Sequence, residues 1–214
     1  MRKIVYVVLA AGGARRMGFA KVTTPLAGSS PIARLGAILE GRAVAVVTAA
    51  SQQEACAQAL PGVPILVNPA PERGMTSSLL VAHDAVDPGA TLGVLLADKP
   101  FVTKATLDRC EATLARCEYA VGAAPACDVL FATFEGEPGH PVYFTPAART
   151  TLHKTPEGDT LRAVRDNPAL RRVAVACDDD SGVVIDLDTP DAWNEAERRL
   201  IGSHAAARES HTHA

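Results

Sequence analysis

The stretch VVLAAGGARRMGFAK, Val7 to Lys21, decides how this chain is read. It opens as a buried aliphatic strand, empties into alanines and glycines, and then presents Arg15, Arg16 and Lys21. A hydrophobic strand that runs into a small-residue loop followed by cations is a common way for α/β proteins to build a place for phosphates. Two familiar glycine loops do not fit. A P-loop needs Lys and Ser/Thr directly after its second glycine, but Phe19 and Ala20 follow Gly18. The dinucleotide fingerprint needs a glycine where Ala14 or Arg15 stands. On its own the stretch is either a phosphate-binding loop of another type or an exposed basic loop.

Outward from this loop, short β-branched runs recur at KIVYVVLA, AVAVVT, PILV, TLGVLLAD, YAVGAA and RVAVA, with helix-like segments between most of them. That alternation predicts a mostly parallel central sheet flanked by helices. Runs such as Val94 to Ala97 have no polar alternation, as expected of strands covered on both faces. The segment CDVLFATFEGEPGHPVYF breaks the rhythm and predicts two strands around a Gly/Pro-rich turn, a small antiparallel excursion. Helix starts are read at Ser51 with Glu54 as a capping box, at Thr103, and at Thr189 before Pro190. The expectation is a single α/β domain over 1–201. The last residues, 202–214, lack a packing pattern and are expected to be a disordered tail.

The totals narrow the function. The chain has 214 residues, and a net charge of -3 gives no general attraction for nucleic acid or an anionic membrane, so a phosphate ligand has to be held by a local cluster of cations. No apolar run is long enough to span a bilayer and no signal-cleavage pattern stands out, so the expected location is cytoplasmic. Five scattered cysteines with no C-x-x-C pair read as free thiols rather than a disulfide or zinc framework.

The loop, together with four further segments, resembles the molybdenum cofactor cytidylyltransferase and guanylyltransferase group, nucleotidyltransferases with a Rossmann-like sheet. The segments are Leu9-Ala10-Ala11-Gly12 with Arg16-Met17-Gly18 and Lys21; LVNPAPERGMTSSLL; LGVLLADKP; EPGHPVYF; and VVIDLDTPDAW. They follow the family's order from about residue 4 to residue 200. The resemblance implies that Leu9, Ala10, Ala11, Gly12 and Gly13 lie against base and ribose, with Asn68, Ser77 and Ser78 also on the nucleotide. It implies that Arg16 and Lys21 reach the triphosphate and, with Asp98, carry catalysis. Read without the family, Ser77 and Ser78 serve nearly as well as helix caps.

The resemblance further implies that Asp98 and Asp188 hold Mg²⁺, and that Lys99, Gly139 and His140 belong to the acceptor side. Asp186, one strand position pair from Asp188, is expected on the same face. Lys99 departs from the glutamine or methionine usual before this proline, and offers either a phosphate contact or a salt bridge. His140, a lone histidine, is assigned to positioning rather than proton transfer.

The implied reaction is transfer of CMP from CTP to the terminal phosphate of a molybdopterin-type cofactor, with a recipient molybdoenzyme or its chaperone as a further partner. CTP is expected over GTP because Ala11 stands where guanylyltransferases tend to carry glycine. Guanylyl transfer, a sugar-phosphate or other small-phosphate nucleotidyltransferase, and a non-catalytic nucleotide-binding chaperone are the alternatives.

Overall fold

The structure, a computed structural model, describes residues 2–12, 20–118, 127–154 and 161–211. Within these, seven strands form one sheet in the order β3-β2-β1-β4-β6-β5-β7. In chain order they are β1 (Ile4–Leu9), β2 (Ala43–Ala49), β3 (Ile65–Asn68), β4 (Thr91–Leu96), β5 (Val129–Phe134), β6 (Glu137–Phe144) and β7 (Arg172–Ala176). β1 pairs in parallel with both β2 and β4, β2 with β3, and β5 with β7. β6 is antiparallel to both of its neighbours, β4 and β5. The predicted mostly parallel sheet with one antiparallel excursion is therefore what forms. The turn of that excursion is Glu135-Gly136, both with positive φ, the backbone a tight hairpin requires.

The central strands are mostly apolar because helices cover both faces of the sheet. Tyr6 and Val8 of β1 pack in one core cluster with Leu35 of α1 (Pro31–Ile38) and with Leu107 and Cys110 of α4 (Lys104–Glu118). Val7 and Leu9, on alternate positions, pack on the opposite face with Leu79 and Ala82 of α3 (Met75–Ala85). Leu161 and Val164 of α6 (Leu161–Arg165) and Ala148 of α5 (Pro146–Arg149) complete that second layer. All six residues of β4 are buried, as the continuous apolar run predicts. A third cluster docks α7 (Pro190–His211) through Trp193 and Ala196 against Leu26 and Leu187.

Two of the three helix starts form as read. The Thr103 hydroxyl accepts from Thr106 N at 3.3 Å, and the Thr189 hydroxyl from Ala192 N at 3.2 Å. The third differs: Ser51 lies inside a 3₁₀ turn, Ala50–Gln52, and α2 (Gln53–Ala59) starts after it from Gln52 without a side-chain cap. The extra turn consumes the spacing that made Ser51 and Glu54 look like a capping box. The YAVGAA run, 119–124, lies outside the described residues. α7 carries helical backbone to His211, into the terminal segment whose sequence shows no packing pattern.

Candidate active site

The order β3-β2-β1-β4 reverses direction at β1, and in open α/β sheets ligands bind at the carboxyl ends of the strands on either side of such a switch. The two segments that follow these strands are tied together by Ala97 N donating to Leu9 O at 3.0 Å. They wall a cleft of about 250 Å³ lined by Leu9, Ala10, Ala11, Gly12, Lys21, Ser78 and Asp98, together with Gly74 and Met75 at the start of α3. Residues far apart in sequence and assigned to one nucleotide thus share one cavity. Gly13 and Arg16 lie outside the described residues.

The floor of this cleft has the properties of a binding surface. A Cβ added at Gly12 would meet nothing within 4 Å, so packing within the protein does not demand glycine there. Gly74, at φ 90° and ψ -175°, holds a conformation open essentially only to glycine and turns the chain into α3. No side chain caps α3, which leaves its N-terminal end facing the cleft.

Asn68 lies at the end of β3, 2% exposed. Its Nδ2 donates to Ser77 Oγ at 2.8 Å and Ser78 Oγ at 2.9 Å, and its Oδ1 accepts from Ala70 N. Ser77 in turn donates to Gly74 O at 2.7 Å. The serines are therefore not caps. Asn68 acts through them, fixing the first turn of α3, and of the three only Ser78 lines the cleft.

Lys21 joins the two acidic segments. Its side chain is 11% exposed, and Nζ lies 2.5 Å from Asp188 Oδ1 and 3.4 Å from Asp98 Oδ2. Leu187 N donates to Asp98 O at 2.8 Å, so backbone as well as charge holds the two carboxylates together. The other carboxylate oxygen, Asp98 Oδ1, is buried with no hydrogen-bond partner among the described residues. Burial, with a smaller push from Asp188, raises the Asp98 carboxyl above its usual range against the opposing pull of Lys21.

The predicted strand at VVIDLD does not form. After a 3₁₀ turn, Ser181–Val183, the chain runs to Asp188 without ladder partners. Asp186 and Asp188 are 47% and 46% exposed in their side chains. What aligns them is anchoring from elsewhere. Asp180, which sequence reasoning passed over, accepts from Thr103 N, Thr103 Oγ1 and Thr106 Oγ1 at 2.6–2.8 Å, fastening this segment to the start of α4. Gly182 and Gly139 allow the closest approaches: a Cβ on them would stand 2.1 Å from Phe101 O and Val183 O, respectively.

A second, polar cleft of about 430 Å³ adjoins the first and shares Met75, Leu96 and Asp98 with it. Lys99, Gly139, His140, Asp186 and Asp188 line it, so the residues assigned to the acceptor are together. Of the two roles open to Lys99, the salt bridge is present: Nζ donates to Val184 O at 2.7 Å and lies 3.4 Å from Asp186 Oδ2. His140 Nδ1 is 3.2 Å from Val94 O, and burial, helped by the positive field of Lys99 and Arg165, lowers the imidazole to about 4. It is neutral at physiological pH, so Nδ1 carries the proton and donates to that carbonyl. Sequence reasoning missed Arg162 and Arg165, which also line this cleft. Their three-residue spacing on one helix was the available signal, but α6 is only five residues long and shows no period.

The MobA-like NTP transferase domain model matches residues 6–175. A search of curated protein sequences gives no significant match. Similar solved structures include Rv0371c from Mycobacterium tuberculosis H37Rv, 24% identical with a TM-score of 0.73, covering 92% of this chain and 98% of that one. The same protein is known in complex with manganese. Molybdopterin-guanine dinucleotide biosynthesis protein A from Archaeoglobus fulgidus is 19% identical with a TM-score of 0.68, over 92% and 99% of the two chains. CMP:2-keto-3-deoxy-manno-octonic acid synthetase complexed with CTP is 14% identical with a TM-score of 0.71, over 94% and 99%. At these identities the structures testify to the shared fold. Among the described residues, no helix is long and apolar enough to cross a membrane.

Proposed function

This chain belongs to the MobA-like NTP transferase family, and from that premise we propose that it transfers CMP from CTP to the terminal phosphate of a molybdopterin-type cofactor, releasing pyrophosphate. The observation that carries the reading is the meeting of Lys21, Asp98 and Asp188 at the boundary of two adjoining clefts. One cleft suits the nucleotide and the other the acceptor, with the reacting phosphate between them.

The reaction needs an acceptor phosphate oxygen in line with the α-phosphorus, so that a new P–O bond forms as the bond to the β-phosphate breaks. That oxygen is already deprotonated at neutral pH, so no general base is required, and the neutral His140 is free for positioning. Lys21 neutralises triphosphate charge, helped by Arg16 from the preceding loop. Backbone from Leu9 to Gly13 receives base and ribose, while Asn68 and Ser77 hold Ser78 on the wall of the nucleotide cleft. Lys99 and Gly139 shape the acceptor side, Lys99 by holding Asp186 and the Val184 carbonyl.

An Asp98 carboxylate with one oxygen unpaired among the described residues, lining the same cleft as Asp188, fits a hard divalent cation. Asp98 and Asp188 would hold Mg²⁺, and the ion would reduce repulsion between the two anionic reactants. The manganese complex of the M. tuberculosis relative is in keeping with this.

CTP is favoured over GTP because the Ala11 methyl, 7% exposed, lines the nucleotide cleft where a purine needs room. One carbon of this kind is worth about 1–3 kcal/mol. The chain is expected to act in the cytoplasm and to hand its product to a molybdoenzyme or that enzyme's chaperone. Incubation with Mg²⁺, molybdenum cofactor and an equimolar mixture of CTP and GTP, followed by mass identification of the product, tests the reading. The cytosine dinucleotide should dominate. A dominant guanine dinucleotide would overturn the base preference, and turnover only with sugar phosphates would overturn the acceptor.

A further inference from the structure

We infer that Arg162 receives the anionic group of the acceptor in the cleft beside Asp98; the inference rests on the nucleotidyl-transfer reading and adds the specificity residue for its second substrate. The case is an inventory of charge. Among the described residues, three cations line this cleft, Lys99, Arg162 and Arg165, and four carboxylates stand with them, Asp98, Glu137, Asp186 and Asp188. Lys21 answers Asp98 and Asp188 from beside the cleft and is spent in doing so, so an anionic acceptor entering here needs another cation with donors to spare.

Two of the three cations are committed. Lys99 is held by Val184 O and Asp186. Arg165 donates from Nε and Nη2 to the two oxygens of Asp166, both at 2.8 Å, and its guanidinium lies 5.3 Å from the centroid of the Phe131 ring. Asp166 is further engaged by Arg172 at 3.6 Å, so its charge is already answered. Arg162 exerts only a long-range pull on Asp166 and makes no hydrogen bond or ion pair among the described residues. It is exposed, while its neighbours Leu161 and Val164 are 5% and 2% exposed and fix α6 on the sheet.

A guanidinium on a rigidly anchored backbone, with its five N–H groups unspent, is suited to grip a phosphate through two parallel hydrogen bonds. The ligand chemistry is thus a phosphate monoester, whatever organic group carries it. Because Leu161 and Val164 supply the packing, replacing Arg162 should leave the fold intact.

The test uses steady-state kinetics of the full chain with CTP, Mg²⁺ and a panel of acceptors: molybdenum cofactor, a sugar phosphate and an alditol phosphate. R162A should raise the acceptor KM at least tenfold while kcat and the CTP KM stay within threefold, with an unchanged thermal midpoint. R162K should recover part of the loss. An acceptor KM within twofold of wild type, or an equal rise in the CTP KM, would overturn the assignment. Wild-type protein that releases no pyrophosphate with any acceptor would overturn the transfer reading and this inference together, whereas turnover with an unchanged acceptor KM defeats Arg162 alone.

Discussion

Lys21 and Arg149 are both buried cations, at 9% and 1% exposure, and the regions that hold them treat charge in opposite ways. Arg149 ends α5 and makes five hydrogen bonds: to the carbonyls of His83, Val86, Asp87 and Ala90, and to His83 Nδ1. These carbonyls close the end of α3 and the connection into β4. Every donor is used on a neutral acceptor, so the group works as a clasp. Lys21 instead sits between two carboxylates, one of which keeps a buried oxygen without a partner. The first arrangement is complete without a ligand, while the second leaves Asp98 Oδ1 unpaired among the described residues. A fully satisfied polar network stabilises a fold, and an unsatisfied one in a cleft marks where something else binds.

The largest effect should come from the clasp. Arg149→Met would take the donor from four carbonyls, the one at Ala90 buried and the others at the rim of the same turn, and cost about 3 kcal/mol. For a domain of this size that lowers the melting midpoint by roughly 6–12 °C, readable by thermal unfolding. The fraction that remains folded should turn over normally. If the midpoint holds and the rate falls, the division between clasp and site is wrong.

Asp98→Asn should invert that pattern, lowering kcat by about 10²–10³-fold, the usual worth of one electrostatic group at a reacting centre. Its stability effect has the opposite sign from that of an ordinary paired aspartate. Because burial raises this carboxyl in the folded protein, the group favours folding at acid pH, and the contribution fades as pH rises through the raised value. At pH 7 the ionised carboxylate is a net cost, so the variant should match or exceed wild type in urea unfolding at pH 7. A marked loss there would make Asp98 a structural residue.

Lys21→Met sharpens the contrast between the cations. Turnover should drop by about 10–10²-fold, with a stability loss of about 1 kcal/mol as the two carboxylates face each other unshielded. That is well below the cost at Arg149. Steady-state rates beside melting curves check both halves.

The smallest effect concerns His140, buried without charge. Its folded value of about 4 lies below the ordinary 6.5, so its contribution to stability is full above 6.5 and is lost as pH falls toward 4. His140→Gln should therefore lose about 1–2 kcal/mol less than wild type between pH 7 and pH 5. Identical acid sensitivity would show that the imidazole is not held neutral.

The contrast also explains what the sequence made legible. Strand runs such as Val94 to Ala97, and the break at the 127–144 hairpin, reflect burial on two faces or a change of strand direction, which short-range pattern records. Lys21, Asp98 and Asp188 were readable as motif residues because each follows a recognisable local signal. Arg149 and Asp180 were not: each owes its role to groups brought near by the tertiary fold, and neither carries a local pattern. The segment before Asp188 misled for the same reason. Its apolar-acidic alternation looks like a strand, but the Asp180 anchor and the close contacts at Gly182 and Gly139 hold it outside the sheet.

The central claim is that Lys21, Asp98 and Asp188 together hold a metal-bound nucleoside triphosphate. Calorimetric titration of CTP into wild type and Asp98→Asn, each with and without Mg²⁺, tests it most directly. Wild type should bind at least tenfold more tightly with Mg²⁺, and the variant should lose that enhancement while remaining fully folded. Equal Mg²⁺ enhancement in the two proteins would contradict the claim.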